Sequence, residues 1–536
     1  MGKLSAFMSK QKQKKYSPAS LHTLLLVLLF VVGFSLRVGF LNYGLPHVYH
    51  PDEERKAQDV VRIMEGKTSL ISYNHPPLPK FLAAGATFFL EKTGVVVFNN
   101  REITAVLGLR VVSLLFDMGS IWALYLLARV FLGKYSAAMA AFLYAIFPLA
   151  VFASKDGMPD TGLSFFFLFT LWLQLQLLTK REWYWYVLNG LALSLAFATK
   201  YNAVFLLLSL LVSCFFSWWK GKSAWKSLLQ GKRILLMGVG VITGFVIGFP
   251  FVFFRDAPRI VQSLLFEKAH QFENGHLGIT ISGTDFWYAY YFIKTLFPLG
   301  GILFVLAVVG GIGLFVKGFS KQNYVVLAAV APFYFAIEFA YKVPVLASHY
   351  VLPLLGWYCI CAMLFVQWSA VQLARRIRLT RKILIMTGFA AVSLFPLIMT
   401  WQLLWTLVPD TRERMYAWIQ ENVPENAQVL AEPTLFYYAN LTDGKHFSLS
   451  TVNWNELSIG TDAYFKQKST AYILTSNLQY DAYLENPTDV PVATDFYQSL
   501  FVKGTLLHEE TPSFETMSIH NPTLRVYKVA GLPESN

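Results

Sequence analysis

Between residues 19 and 407 the sequence returns repeatedly to apolar stretches close to twenty residues long, separated by short polar breaks. About 20 apolar residues cross a bilayer as a helix. In hydrocarbon only helices and closed barrels satisfy their own backbone groups. The stretches fall near 19–41, 103–128, 136–153, 161–178, 185–199, 202–219, 234–253, 295–316, 323–341, 350–370 and 383–407, about eleven spans, of which the fifth and sixth are the shortest. Composition agrees: 14% of the residues are charged and 55% hydrophobic, whereas a soluble domain is roughly a quarter charged. So few charges could not cover 536 residues in water. The 16% aromatic content suits membrane interfaces, where such rings anchor. A soluble enzyme, a disordered chain and a fibre are excluded, and the sequence predicts an α-helical polytopic membrane protein.

The loops divide by charge. One alternating set carries Lys3, Lys10, Lys12, Lys14 and Lys15, then Arg129 and Lys134, Lys180 and Arg181, Lys220 to Arg233, Lys317 and Lys321, and Arg375 to Lys382. These loops are nearly free of acids, and the positive-inside rule assigns them to the cytoplasm. The net charge of +13 is thus spent on topology rather than on nucleic acid, which is not expected as a partner. Residues 1–18 form a basic cytoplasmic amino terminus, residues 19–408 the membrane domain, and an odd number of spans puts residues 409–536 outside. The first apolar run lacks a small-x-small cleavage site and is expected to stay as an anchor. Cys214, Cys359 and Cys361 all lie in apolar runs and offer neither a disulfide framework nor metal-ligand spacing.

The outward loops differ in kind. Residues 42–101 mix acids, bases, His and Pro, and residues 254–294 set Arg255, Asp256, Arg259, Glu267, Lys268, His270, Glu273 and His276 among aromatics. From about 410 the composition becomes that of a soluble unit. Val429-Leu430, Ala471–Leu474 and Leu524–Tyr527 read as short buried strands and Thr411–Asn422 as a helix, predicting a small α/β domain.

The chemistry gathers on these outward loops. Pro51 followed by Asp52, Glu53 and Glu54 is a favourable helix start, because proline fits the first turn and carboxylates suit the positive end of the dipole. Ala57, Val60, Val61 and Met64 then form an apolar stripe ending at Gly66, which predicts a short amphipathic helix lying on the membrane with Asp52 and Glu53 at its tip. Those acids either cap the helix or do chemistry. Next, Tyr73-Asn74-His75-Pro76-Pro77-Leu78-Pro79-Lys80 is a rigid turn with His and Lys at its ends, and Lys80 is either a snorkelling lysine or an anion ligand. Ser154–Asp160 brings Lys155, Asp156 and Asp160 between two apolar helices, where carboxylates are costly unless paired or used. Asp156 has Lys155 beside it as a partner, and Asp160 follows Pro159 at a helix start. Lys200, between two short spans, carries the same ambiguity as Lys80.

Separate carboxylates and several cations over a lipid boundary suit a reaction with a lipid-linked phosphate leaving group and a hydroxyl nucleophile. One carboxylate takes the hydroxyl proton while cations offset the charge on the departing phosphate. No GxxxxGKS or strand-linked GxGxxG motif is present, so a nucleotide-driven cycle is not expected.

His50-Pro51-Asp52-Glu53, His75-Pro76-Pro77-Leu78 and Pro159-Asp160 together resemble the GT-C glycosyltransferases, and within them the protein O-mannosyltransferase and aminoarabinose (lipid A) transferase branch. Ala198–Asn202, Gly275-His276-Leu277-Gly278, His349–Pro353 and Asp410-Thr411-Arg412 add matches in order along the chain. The resemblance implies a GT-C membrane fold with outer juxtamembrane helices. It also implies an inverting transfer of a monosaccharide from a polyprenyl-phosphate donor, in contact with membrane lipid, to a protein, glycolipid or cell-wall hydroxyl at the outer face of a plasma (inner) membrane. By the same resemblance Asp52 is the catalytic base, Glu53 supports it or binds the acceptor, and Asp160 is the second acid with Asp156 in reserve. Lys80, Lys200 and Arg259 are the phosphate ligands. Two positions depart from the pattern. The aminoarabinose branch has a metal-binding Glu and a Lys before the Pro-Pro pair, where this chain has Asn74-His75; a divalent metal is therefore an open expectation, with His75, Asp156 and His276 as accessory or metal ligands. Many relatives carry Arg where His349 stands, which implies a phosphate role for His349 that varies with pH.

A transporter or lipid flippase is the alternative reading, but it predicts polar groups in mid-span and halves of similar hydropathy. A membrane anchor with a binding domain leaves the acids and cations of the separate loops without a purpose.

Overall fold

The computed structural model describes residues 18–94, 98, 100–218, 231–274, 287–316, 320–340, 348–432, 448–451, 471–485, 487–488, 490–514 and 521–529. The loop Gly275–Gly278, with His276, lies outside the described residues. In chain order the helices are α1 (Pro18–Val38), α2 (Pro51–Met64), α3 (Leu78–Thr93), α4 (Arg101–Phe131), α5 (Lys134–Ala145), α6 (Pro148–Ala153), α7 (Asp160–Gln176), α8 (Trp183–Thr199), α9 (Leu206–Trp218), α10 (Gly231–Gly248), α11 (Ala257–Ala269), α12 (Phe297–Gly300), α13 (Ile302–Val316), α14 (Lys321–Glu338), α15 (Leu352–Ala374) and α16 (Arg381–Thr406). The remainder is α17 (Thr411–Asn422), β1 (Gln428–Ala431), β2 (Ser448–Thr451), β3 (Ala471–Ser476), α18 (Asn477–Glu485), α19 (Pro491–Lys503), β4 (Thr505–Glu510) and β5 (Leu524–Val529).

Five of the described helical segments are long and apolar enough to cross a membrane. Others fall short for local reasons. The run 136–153 breaks before Pro148, which cannot supply the amide the helix needs there. At 17 residues each, α7 begins at Asp160 and α8 ends where Lys200 turns extended, so both are cut short by a charged residue of the outward turns.

Packing between helices follows small residues. On α8 and α10, Gly190 lies against the Met237 carbonyl and Gly240 against the Val187 carbonyl, so a side chain at either position would collide with backbone. Gly244 and Gly248 continue the contact against Ser194 and Ala198. Lipid offers no hydrophobic drive for helix association, so such close approach supplies it through dispersion. The central helix is α4, which packs on α2, α3, α5 and α7. It carries two buried ion pairs. Arg37 of α1 meets Asp117 at 2.5 Å, and Tyr144 donates to the other oxygen of Asp117 at 2.6 Å.

The second pair organises the face away from the basic loops. Glu53 takes both Arg110 Nε and Nη2 at 2.8 Å, with both side chains fully buried. Arg110 also donates to the Leu41 and Tyr43 carbonyls, and Glu53 accepts the Gly157 amide at 2.6 Å. Four separate pieces of chain are thereby tied together. Lys155 does not pair with Asp156 but donates to the carbonyls of Leu36, Arg37 and Gly39, closing the end of α1. The α2 stripe also departs from expectation: Ala57 and Val60 are buried against Ala83, Ala105, Val106 and Leu109 of α3 and α4, not laid on lipid. The reason is that Glu53, Lys56 and Asp59 are buried too and draw the helix into the protein.

The carboxyl-terminal sheet runs β2-β1-β3-β5-β4, with β1 parallel to β2 and β3, and β5 antiparallel to β3 and β4. Met415 and Ile419 of α17 cover one face; Tyr480, Phe496 and Tyr497 of α18 and α19 cover the other. The three strands read from sequence are β1, β3 and β5, and the helix Thr411–Asn422 is α17. The edge strands β2, with one apolar residue in four, and β4, which is mostly exposed, escaped that reading. Asp410 caps α17, and Arg412 stacks 4.0 Å above the ring of Tyr49.

Removing Arg110 leaves a buried carboxylate unpaired, at a cost of about 3–5 kcal/mol. Arg110→Ala is expected to lower the melting temperature in lipid nanodiscs steeply. Glu53→Gln combined with Arg110→Gln is expected to lose less than Arg110→Ala, because no charge is stranded. A double variant less stable than the single would show that the pair is not acting as a charge pair.

Candidate active site

The Glu53–Arg110 tie sets three turns side by side, and their side chains line one cleft. At the first, His50 caps α2 by accepting the Asp52 amide on Nδ1 at 3.2 Å. Asp52 is thus projected from the first turn of α2, with its side chain 38% exposed. One turn later Lys56 is buried, 3.5 Å from Asp52 Oδ2 and 3.2 Å from Met158 Sδ. His75, on the Pro-Pro turn, places Nε2 3.9 Å from the same oxygen.

The turn between α6 and α7 brings Asp156 and Asp160. Asp156 accepts the Tyr43 hydroxyl at 2.6 Å. Asp160 is 1% exposed; its Oδ1 accepts from Lys200 Nζ at 2.7 Å. Its Oδ2 is buried without a hydrogen bond and lies 3.7 Å from His349 Nε2. Lys200 also sits 5.0 Å over the ring of Tyr350. Two carboxylate–ammonium pairs, Asp52–Lys56 and Asp160–Lys200, therefore face a cleft that also holds His50, His75, His349 and Asp156.

The charges set one another. Lys56 is the main reason that the Asp52 carboxyl is held far below the ordinary carboxylate range, helped by the nearby His75 imidazole. Burial is the main reason that the His75 imidazole is pushed down to about 4, with Lys56 adding to it and Asp52 opposing. His50 is lowered as well, first by burial. At neutral pH the cleft therefore presents an ionised Asp52 beside neutral imidazoles.

Several residues picked out in the sequence are used elsewhere. Glu53 is locked on Arg110 and does not reach the cleft as a free carboxylate. Lys80 is buried and donates to Asp59 at 2.8 Å and to the Ser72 carbonyl, so it fastens α3 to α2 rather than offering a cation to phosphate. Arg259 donates to the Ile71 carbonyl at 2.6 Å and pairs with Asp256 at 3.2 Å. Asp256 also accepts from Tyr73 and Arg255, clasping the start of α11 to the loop before the Pro-Pro turn. Each of these three meets a buried partner of opposite charge: Arg110 for Glu53, Asp59 for Lys80 and Asp256 for Arg259.

Lys56 was not singled out, although its spacing from Asp52 puts both on one face of α2. Glu267 of α11, which the sequence marks only as one of the charged residues of its loop, lies within electrostatic range of Lys200, Asp52 and Lys56. Among the described residues no group of three His, Cys, Asp or Glu side chains is placed to hold a metal ion. Ammonium groups stand on both Asp52 and Asp160.

Residues 74–247 match the family model described as dolichyl-phosphate-mannose-protein mannosyltransferase. The search of curated proteins finds no match. Among solved structures, ArnT from Cupriavidus metallidurans in the apo state is 13% identical with a TM-score of 0.50, over 95% of this chain and 98% of that one. The archaeal oligosaccharyltransferase AglB from Archaeoglobus fulgidus, in complex with an inhibitory peptide and a dolichol-phosphate, is 13% identical with a TM-score of 0.55, over 88% of this chain and 72% of that one.

The lowered His75 predicts an acid-labile fold. An imidazole that titrates near 6.5 when unfolded and about 4 when folded binds fewer protons in the folded state, so its contribution is lost as pH falls through that window. Between pH 6.5 and 4 the melting temperature of His75→Gln is expected to fall less than that of the wild type. Parallel curves would place His75 in water.

Proposed function

We propose that this chain, which carries the fold of the GT-C glycosyltransferases, transfers a monosaccharide from a polyprenyl-phosphate donor to a hydroxyl acceptor. The observation that carries this reading is the meeting of Asp52–Lys56 and Asp160–Lys200, from loops far apart in sequence, in one cleft at the end of the helices away from the basic loops. The family match over residues 74–247 supports a donor of the lipid-phosphate sugar class. So does the dolichol-phosphate in the archaeal oligosaccharyltransferase of the same fold.

In the proposed reaction the acceptor oxygen forms a bond to the anomeric carbon on the side opposite the phosphate. The bond from that carbon to the phosphate oxygen breaks, and its electron pair leaves with polyprenyl phosphate. A single displacement of this kind inverts the anomeric centre. Asp52, the more accessible of the two paired carboxylates, accepts the hydroxyl proton. Its lowered pKa makes it a weak base for a resting alcohol, so the proton moves late, when the new bond has made the hydroxyl acidic. Lys200 and Lys56 offset the second negative charge that appears on the leaving phosphate. Asp160 holds Lys200 in place and keeps Oδ2 for a hydroxyl of the substrate. His349 borders that oxygen and helps to shape the phosphate side of the cleft.

The positive-inside pattern supports a cytoplasmic amino terminus and an extracytoplasmic carboxyl-terminal α/β unit, and on this reading the reaction takes place at the outer face of a plasma (inner) membrane. That unit, docked through Arg412 on Tyr49 next to His50, is suited to acceptor choice among protein, glycolipid and cell-wall hydroxyls.

Purified protein in lipid, offered a panel of polyprenyl-phosphate sugars with crude envelope acceptor, is expected to release free polyprenyl phosphate from one of them. Asp52→Asn is expected to lower kcat by about 10²–10⁴ without loss of expression. Lys200→Ala is expected to raise the donor KM as well as lower kcat. Wild-type protein that releases polyprenyl phosphate from no donor would overturn the proposal.

A further inference from the structure

Helix α11 lies beside the paired carboxylates and lysines, with Glu267 in electrostatic range of Asp52, Lys56 and Lys200. Its buried side follows the helical interval through Ile260, Leu264, Glu267 and Gln271, the last in the π-turn that continues the helix. Ile260 is buried and Leu264 packs on the membrane core. The same stripe then turns polar where it passes the cleft. Gln271 Nε2 reaches the Tyr350 hydroxyl at 3.5 Å, and Tyr350 is the ring on which Lys200 rests. The opposite side of α11 exposes Val261, Leu265 and Phe266. The clasp of Asp256 with Tyr73, Arg255 and Arg259 fixes the helix at its start, so the placement of Glu267 is set by the fold.

Glu267 has no hydrogen bond or ion pair among the described residues, yet five groups on separate elements are within its electrostatic reach. They are Asp52 and Lys56 of α2, Lys200 and Tyr201 at the end of α8, and Tyr350 before α15. A half-buried carboxyl that faces both the phosphate cation and the proposed base, with no partner of its own, has hydrogen-bonding capacity reserved for a substrate.

Building on the donor proposed above, we propose that Glu267, with Gln271 one turn on, hydrogen-bonds a hydroxyl of the transferred sugar while the attached phosphate sits against Lys200. Glu267 is then a residue that selects the donor sugar, and the class it selects is a neutral, hydroxylated sugar. A carboxylic acid in its neutral form both donates to and accepts from a hydroxyl. Its anion would stand beside the donor phosphate and repel it. Burial is the main cause that raises Glu267 to about 7, against the opposing pull of Lys200, so the neutral form is well populated at neutral pH.

The test uses full-length protein in lipid and the donor that supports polyprenyl phosphate release, with its monodeoxy analogues as probes. For the wild type, donor KM is expected to rise about tenfold from pH 6 to pH 8 as the carboxyl ionises; the donor itself, a phosphodiester, does not titrate in that range. Glu267→Gln is expected to raise KM about threefold at pH 6 and to hold it flat to pH 8. Glu267→Ala is expected to raise KM about tenfold and to erase the discrimination against one of the monodeoxy donors. Melting temperatures of both variants control for folding. A Glu267→Gln profile that still climbs with pH, or a Glu267→Ala variant that discriminates as the wild type does, would sink this inference while leaving the transferase reading intact. Failure of the wild type to release polyprenyl phosphate would instead overturn the reading on which the inference rests.

Discussion

The buried Glu53–Arg110 pair is the interaction on which the rest of the site depends. Its contacts reach the carbonyls after α1, the first turn of α2, the middle of α4 and the turn before α7. The chain after α1 and the turn before α7 are short loop pieces, and the pair fastens them to the packed helices α2 and α4. A buried ion pair is a poor source of net stability, since desolvation offsets most of its attraction. Its value here is directional: bidentate geometry at 2.8 Å admits one arrangement of the partners. Gly157 completes it, because a side chain there would run into Leu109 and crowd Glu53. With that corner fixed, Asp52 one residue before Glu53 and Asp160 three residues after Gly157 are brought to face one cleft.

A second layer of ion pairs holds the neighbouring elements so that the cleft need not supply its own rigidity. Asp59 gathers Lys80, Arg62 and the Ser72 amide, and Asp256 gathers Tyr73, Arg255 and Arg259. Each acid fastens the loop between α2 and α3 to a different helix. The cations used in these clasps are unavailable for a phosphate, which leaves Lys56 and Lys200. Both of these are already paired with carboxylates, so neither ammonium stands as an uncompensated charge in the resting cleft. In the proposed transfer a phosphodiester that enters disturbs the balance modestly, and the additional charge of a departing phosphate disturbs it further. Fixed ammonium groups then interact more strongly with the product-like state than with the bound donor, which is the differential that favours reaction.

Much of this was legible before any coordinates. Apolar length located most of the long helices to within a few residues, because the bilayer imposes that length on any sequence, but it missed α3 and the breaks within 136–153 and 295–316. The Pro51-Asp52-Glu53 helix start, the Asp160 helix start and the break at Lys200 were each visible as polar punctuation in apolar surroundings. What could not be read was pairing. Lys80 and Lys200 look alike in sequence, each a lysine at the end of an apolar helix. Only the fold shows that Lys80 lies against Asp59 and Lys200 against Asp160. Glu53 and Asp52 are adjacent, yet successive residues on a helix point about 100° apart, so one faces α4 and the other the cleft. Glu267 escaped because its loop is rich in charge and only its place on a buried stripe sets it apart.

The arrangement also links the soluble unit to the reacting groups through very few atoms. Asp410 holds Arg412 at 2.8 Å, Arg412 lies on the ring of Tyr49, and Tyr49 donates to Glu413 at 3.5 Å. Gly44, in the left-handed backbone region at φ +69°, lets the chain pass the Tyr49 ring where a side chain would collide with it. His50 follows directly and caps the helix that presents Asp52. A displacement of α17 relative to the membrane helices would therefore move Tyr49, then the cap, then the carboxylate, over a path of four side chains. Short rigid paths of this kind transmit sub-ångström shifts because packed interiors deform little. The soluble unit and the position of Asp52 are thus mechanically joined, and that joint runs through the Arg412–Tyr49 stack.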